Sequence, residues 1–315
     1  MRVPTYLSPS ALAAWEKDPE AFYIARLAET RAPRLPQERP ASVGSAFDAC
    51  VKSALHAALF GEGHDPAYGY DALFVAQVEP QNRDWAKAEG EYVFDCYKML
   101  GAFDTLLGLL QRSDEPPRFE FSVEAVIGGV PFLGKPDCRF VLAGQHIIHD
   151  WKINGYCSKN PTSPTKGYMY CRPDGVAHKK FVPLEKGGLV IDAGYLEDCS
   201  TDWADQLTLY GWALGEKVGD QEVVQSIHQG ACKPIAGQRP SLRFAEYRAR
   251  VRDSYQDLLL KRLQRAWKHI STGHVIPTLS VADCASRCAL LEKEAASLHL
   301  EDGFFADVVR PKYRG

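Results

Sequence analysis

Gly134-Lys135-Pro136-Asp137, the run Cys138 to Leu142, a turn at Ala143-Gly144-Gln145 and then Ile147-Ile148-His149-Asp150-Trp151-Lys152 decide how this chain folds. Short runs of β-branched and aromatic residues separated by turn residues read as antiparallel strands. Just upstream, Phe119 to Ile127 alternates in polarity and Gly128-Gly129 is a hairpin signal, so Val130 to Leu133 reads as a return strand. The whole stretch is expected to be a meander. Side chains alternate along a strand, which puts Asp150 and Lys152 on one face at the end of a very apolar strand, with Asp137 at the head of its neighbour.

Working outward, the period changes to helical. Ser8-Pro9-Ser10 before Ala11 to Glu16 reads as a capped helix start, and the Pro-rich stretch from Arg31 to Pro40 reads as a linker. A second helix is expected from Val43 to Phe60, with Phe47, Val51, Ala54, Leu55, Ala58 and Leu59 on its apolar face. Residues 82–110 read as one or two amphipathic helices through Trp85, Tyr92, Tyr97, Leu100 and Leu107. Downstream, residues 154–200 are rich in Gly, Pro, Lys and Ser and read as an insertion. Trp203 to Gly215 reads as a helix with a stripe of Trp203, Leu207, Tyr210 and Leu214. Glu222 to Ala231 and Leu242 to Tyr247 read as strands, Arg248 to Ile270 as a long basic helix, and Cys284 to Ser297 as a last helix. The expected fold is α/β: a central mixed sheet flanked by helices, with an N-terminal helical region. As one domain it would comprise a helical part (1–115), a core (116–247) and a C-terminal helical part (248–315).

The chain has 315 residues, 45% hydrophobic and 24% charged, enough apolar mass for a sizeable core. No apolar run has bilayer length, and Met1 to Ser10 carries no signal-peptide pattern, so no membrane partner and a cytoplasmic location are expected. A net charge of −3 is unlike a generic nucleic-acid binder, although a carboxylate cluster holding metal lowers the sum without preventing phosphate binding. Nine irregularly spaced cysteines read as reduced thiols.

Two carboxylates and a lysine at adjoining strand ends suit divalent-metal chemistry: hard oxygen ligands for Mg²⁺ or Mn²⁺, and a lysine to position or help deprotonate an attacking water. A plain salt bridge at a strand end would also explain Asp150-x-Lys152. Glu120 and Glu124 share a strand face and read either as hydrogen-bonding groups around the site or as half-exposed strand residues.

Pro136-Asp137 followed by Asp150-Trp151-Lys152 resembles the signature of the PD-(D/E)XK nucleases. Further pieces, in order, resemble their RecB-like branch, which includes the Cas4 proteins. Leu7 to Leu12 is similar to its S-x-S-x-L opening, and Asp18-Pro19-Glu20-Ala21-Phe22-Tyr23 to C-P-x-x-F-Y. Gly44 to Asp48 is similar to G-x-x-x-H, Gln206 to Tyr210 to Q-x-x-x-Y, and the segment with Gly273, Pro277, Cys284 and Cys288 to the closing region. The resemblance implies a restriction-endonuclease-like core and a Mg²⁺- or Mn²⁺-dependent deoxyribonuclease. An exonuclease of recombination, repair or phage DNA metabolism fits best, with DNA as substrate and recombination or replication proteins as partners.

By the same resemblance Asp137 and Asp150 hold metal, joined by the main-chain carbonyl of Trp151. Asp48 stands where the family has a metal-binding histidine, and Lys152, Gln206 and Tyr210 act as catalytic residues, although Tyr210 also fits a plain apolar stripe. An iron–sulfur cluster is not expected, because Asp18 replaces the N-terminal cysteine and only Cys284 and Cys288 stand at the other end; zinc held by these with Cys157 and Cys171 has irregular spacing against it. Lys159, Lys166, Lys179, Lys180 and Lys186, with Tyr168 and Tyr170, read either as phosphate and base contacts or as a solvated loop. Two rival functions remain at this stage: a non-cleaving DNA-binding or scaffold subunit with the same fold, and an unrelated hydrolase or sugar-modifying enzyme with paired carboxylates.

Overall fold

Turn and cap residues set the element boundaries, as the computed structural model describes for residues 2–30, 35–119, 122–154, 181–183, 189–220, 222–235, 238–272 and 289. In chain order they comprise helices α1 (Pro9–Lys17), α2 (Pro19–Phe22), α3 (Arg39–Phe60), α4 (Tyr70–Gln77), α5 (Arg83–Met99) and α6 (Ala102–Leu110). Strands β1 (Arg118–Phe119), β2 (Val123–Ile127), β3 (Val130–Gly134), β4 (Cys138–Leu142), β5 (Gln145–Asn154), β6 (Phe181–Pro183) and β7 (Leu189–Tyr195) follow. Helix α7 (Thr201–Ala213), strands β8 (Val223–Ile235) and β9 (Gln238–Arg250), and helix α8 (Asp253–Thr272) complete them. No helix among the described residues is long and apolar enough to cross a membrane.

The chain divides into two compact units, one of residues 1–36, 124–134 and 257–315, the other of residues 37–123 and 135–256. In the first, the Ser8 hydroxyl caps α1 by accepting from the Ala11 N–H at 3.2 Å. Leu7 pairs with the β2–β3 hairpin, donating to Pro131 O and accepting from Leu133 N–H, both at 2.8 Å. Gly128 and Gly129 carry the positive φ values, 56° and 84°, that a tight hairpin turn needs. The α8 stripe Leu259, Leu263, Ala266 and Ile270 is buried, and Arg262 pairs with Glu16.

The second unit holds a mixed seven-stranded sheet, ordered β1-β4-β5-β8-β9-β7-β6. The β4–β5 hairpin closes from the Leu142–Gln145 pair through Ala143 and Gly144, both at positive φ. Strands β5 and β8 run parallel, which demands a crossover connection, and α7 lies on it, capped by the Ser200 hydroxyl. On one face of β5, Ile147 and Trp151 join Val43, Phe47, Val51 and Leu55 of α3, with Val93, Tyr97, Leu106, Phe140 and Phe244, in the main core. Tyr97 meets Phe47 and Phe244 edge-on at 5.5 and 4.9 Å, contacts worth about 1 kcal/mol each beyond their buried area. Helix α5 packs so closely on α3 that a Cβ at Gly90 would stand 2.9 Å from the Ala46 main-chain carbon and the Phe47 nitrogen, so glycine there sets the height of α3.

Several expectations are corrected. Residues 119–127 are not one strand: Phe119 ends β1 on the large sheet, and β2 belongs to the separate hairpin with β3. The expected insertion contains β6 and β7, which extend the sheet beyond β9: β7 pairs with the distant β9, and β6 pairs locally with β7. The long basic helix begins at Asp253, because Arg248 and Arg250 continue β9 and Arg252 is held by Glu197 and Asp198. Lys261, Arg265 and Lys268 form an exposed face of α8. Helix α3 starts earlier than expected, at Arg39, and Ala58 is exposed rather than on the apolar face. The Lys/Tyr-rich segment 155–180, Lys186, Glu120 and the closing region with Gly273, Pro277, Cys284 and Cys288 lie outside the described residues.

A buried polar cluster lies within the core side of the sheet. The Tyr97 hydroxyl and His228 Nδ1 share a hydrogen bond at 2.5 Å, and Trp151 Nε1 donates to the Tyr97 hydroxyl at 3.3 Å. His149, Glu246 and Arg248 face His228 as well. Burial pushes the His228 imidazole down to about 4, with Glu246 opposing and Arg248 adding to the shift. A base with a lowered folded pKa takes up its proton in the unfolded chain first, so this contribution is intact above about pH 6.5 and is lost as pH falls towards 4. Its full size is about 3 kcal/mol. Melting curves from pH 7 to 4.5 should fall less steeply for His228→Gln than for the parent; parallel curves would refute this.

Candidate active site

Three carboxylates and two ammoniums converge at one end of β4 and β5. Strand β4 pairs with β5 from Cys138–His149 onwards, so Asp137 sits one step beyond the last pair, opposite Asp150. Asp150 and Lys152, two residues apart on β5, share a face and form an ion pair. Lys152 Nζ also donates to Gln206 Oε1 at 2.9 Å, and Gln206 Nε2 donates to the Tyr210 hydroxyl at 3.2 Å. Gln206 and Tyr210 are neighbours because they lie four apart on α7, which the parallel crossover sets against β5.

Helix α3 supplies the rest. Asp48 Oδ2 lies 2.6 Å from Lys52 Nζ, and the same ammonium donates to Asp137 Oδ1 at 2.9 Å. Gln77 Nε2, at the end of α4, donates to Asp48 Oδ2 at 2.9 Å. The Lys52 side chain is 1% exposed, against 17% for Asp48 and 25% for Asp137. The lysine is therefore the buried centre of the triad, and the acids form its open side.

The two facing acids do not ionise alike. Burial would raise the Asp137 carboxyl, but the Lys52 ammonium, a hydrogen bond with Asp150 and the Lys152 ammonium together hold it well below the usual carboxylate range. Burial raises the Asp150 carboxyl well above that range; Lys152 opposes this and the nearby Asp137 adds to it. The pair therefore titrates unevenly, Asp137 losing its proton before Asp150. Burial works to lower Lys152, yet Asp150 and Asp137 outweigh it and keep the ammonium protonated. Burial also raises the Tyr210 phenol.

Asp137, Asp150, Lys152, Gln206 and Tyr210 come together through hydrogen bonds and ion pairs, and Asp48 joins them through Lys52. Trp151 lies between Asp150 and Lys152 with its indole in the core. Glu124 is exposed on β2, in the other unit. Cys50, Cys96 and Cys138 are buried free thiols. Two site residues were not anticipated, Lys52 and Gln77. The signal for Lys52 was present: from Ala41 to Phe60, Asp48 and Lys52 are the two charged residues of α3, one helical turn apart.

Among the described residues no three His, Cys, Asp or Glu side chains form a group that could hold a metal ion by themselves. The donor chemistry nevertheless suits a hard cation at the Asp137–Asp150 pair, where two carboxyl groups on adjoining strands stand opposite each other. Such an ion would complete its shell with main-chain, water or substrate oxygens. No family model matches this chain, and no curated protein matches it significantly in sequence.

Proposed function

We propose that this chain is a Mg²⁺- or Mn²⁺-dependent deoxyribonuclease of the PD-(D/E)XK, RecB-like type, acting as an exonuclease in recombination, repair or phage DNA metabolism. The observation that carries the reading is the pairing of Asp137 with Asp150 at adjoining strand ends, with Lys152 tied to both Asp150 and Gln206. A divalent ion bound by Asp137, Asp150 and the Trp151 carbonyl would supply Lewis-acid stabilisation of charge on the scissile phosphate and lower the pKa of a bound water.

The remaining work falls to the side chains. Lys152 offers a cation whose direction is fixed by Gln206, itself steadied by Tyr210, so the ammonium need not reorganise as negative charge develops on phosphate oxygen. Asp150, almost fully buried, is kept in place by its pairing with Ile227 of β8, one step past the last β4–β5 pair. DNA is the expected partner.

Labelled linear and covalently closed circular DNA incubated with the purified protein test the reading. Mg²⁺ or Mn²⁺ should support degradation of the linear form while the circle survives, and a chelator should stop it. Intact linear DNA under every condition would end the proposal. Lys52, seated between Asp48 and Asp137, favours one alternative, a subunit of this fold that binds DNA without cutting it. A mobility shift without cleavage would mark that case.

A further inference from the structure

We propose that Lys52 is a tethered cation occupying the position between Asp48 and Asp137 that a second metal ion would take, so that the site binds a single divalent ion, at Asp137 and Asp150. The inference rests on the metal-dependent reading above and adds its stoichiometry and the role of a residue outside the resemblance.

Lys52 projects from an apolar helix among the buried Phe47, Val51 and Leu55, and its side chain is 1% exposed. An ammonium so placed is strongly disfavoured unless paired. Its pairing joins carboxylates from two separate elements, Asp48 at 2.6 Å and Asp137 at 2.9 Å, residues that are far apart in the chain. Bridging two acids in this way is what a shared metal ion does. The spacing suits an ammonium, because N–H···O contacts run near 2.8 Å whereas Mg²⁺ draws its oxygens to about 2.1 Å. The stem is packed on all sides, so Lys52 cannot swing to solvent to make room for an ion without disturbing α3.

Charge leads to the same count. Asp48, Asp137 and Asp150 face Lys52 and Lys152, three acids against two ammoniums. One divalent ion leaves the cluster modestly positive, as a phosphate-binding site should be. A second would stand beside the Lys52 ammonium in a site with little water to screen it. Lys52 is therefore a positioning residue: it orients Asp137 for the ion on the Asp150 side and cancels the charge of Asp48.

Mn²⁺ binding followed by calorimetry and by electron paramagnetic resonance, on the full chain without DNA, tests this independently of cleavage. The parent should bind one Mn²⁺ per chain and Lys52→Met two, Asp48 and Asp137 accepting the second once no ammonium bridges them. Asp48→Asn, which leaves the Lys52–Asp137 pair, should keep one ion with affinity within threefold of the parent. Two ions on the parent, one on a folded Lys52→Met, or a tenfold or greater affinity loss in Asp48→Asn would each overturn the proposal. If Lys52→Met does not fold, the Asp48→Asn result decides alone. A parent that binds no Mn²⁺ overturns the metal-dependent function itself, an outcome distinct from a parent that binds two.

Discussion

Asp150→Asn should reduce kcat/KM for linear DNA by about 1,000-fold or more, a loss of about 4 kcal/mol of transition-state stabilisation. The amide keeps the size of the buried side chain but cannot serve as an anionic ligand, and it removes the ion pair that fixes Lys152. Two functions are lost at one position. Folding should survive, because burial raises the Asp150 carboxyl, with Asp137 adding to this, so the fold already disfavours a full charge at that position. The variant should therefore melt within a few degrees of the parent and still retard DNA on a gel, with affinity unchanged or raised. Circular dichroism, a mobility shift and single-turnover cleavage together check this. A folded Asp150→Asn that retains a tenth of parental activity would exclude Asp150 from the chemistry.

How much of this was legible beforehand varies by element. The β4–β5 hairpin was, because its turn, its apolar strands and the two-residue spacing of Asp150 and Lys152 are local features. The α7 pair was too, since Gln206 and Tyr210 need only helical spacing to meet. What escaped the sequence depends on distant segments. Strand β7 gains its place from the distant β9, and β6 from β7 in turn, so their composition alone read as loop. The break between β1 and β2 arises because neighbouring residues are claimed by different sheets, which no alternation can signal. Lys52 could be singled out by its spacing from Asp48, but its burial becomes sensible only once Asp137 arrives from residues far downstream. The same holds for Gln77, whose partner Asp48 lies on another helix.

Lys52→Met should lower stability by roughly 3 to 4 kcal/mol in the absence of divalent ions, the range found when one partner of a buried ion pair is removed. Methionine matches the stem of lysine and leaves no large cavity, so the cost is electrostatic. It comes from Asp48 and Asp137, left facing each other without the ammonium that joined them. For a unit of this size that corresponds to a fall in Tm of roughly 10 °C. Two additions should restore it by separate routes. Asp48→Asn in the Lys52→Met background removes one of the stranded charges and should recover part of the loss, whereas in the parent the same change should destabilise, because it deprives Lys52 of a partner. This reversal of sign identifies the ion pair, rather than packing around α3, as the source. Mn²⁺ at about a hundred times its Kd adds about 2.7 kcal/mol for each site it fills. Lys52→Met, with one more site than the parent, should therefore gain the larger rise in Tm from the ion. Equal rises in the two proteins, or a Tm of Lys52→Met within a degree of the parent without ions, would mean that the ammonium between these carboxylates does not hold them together.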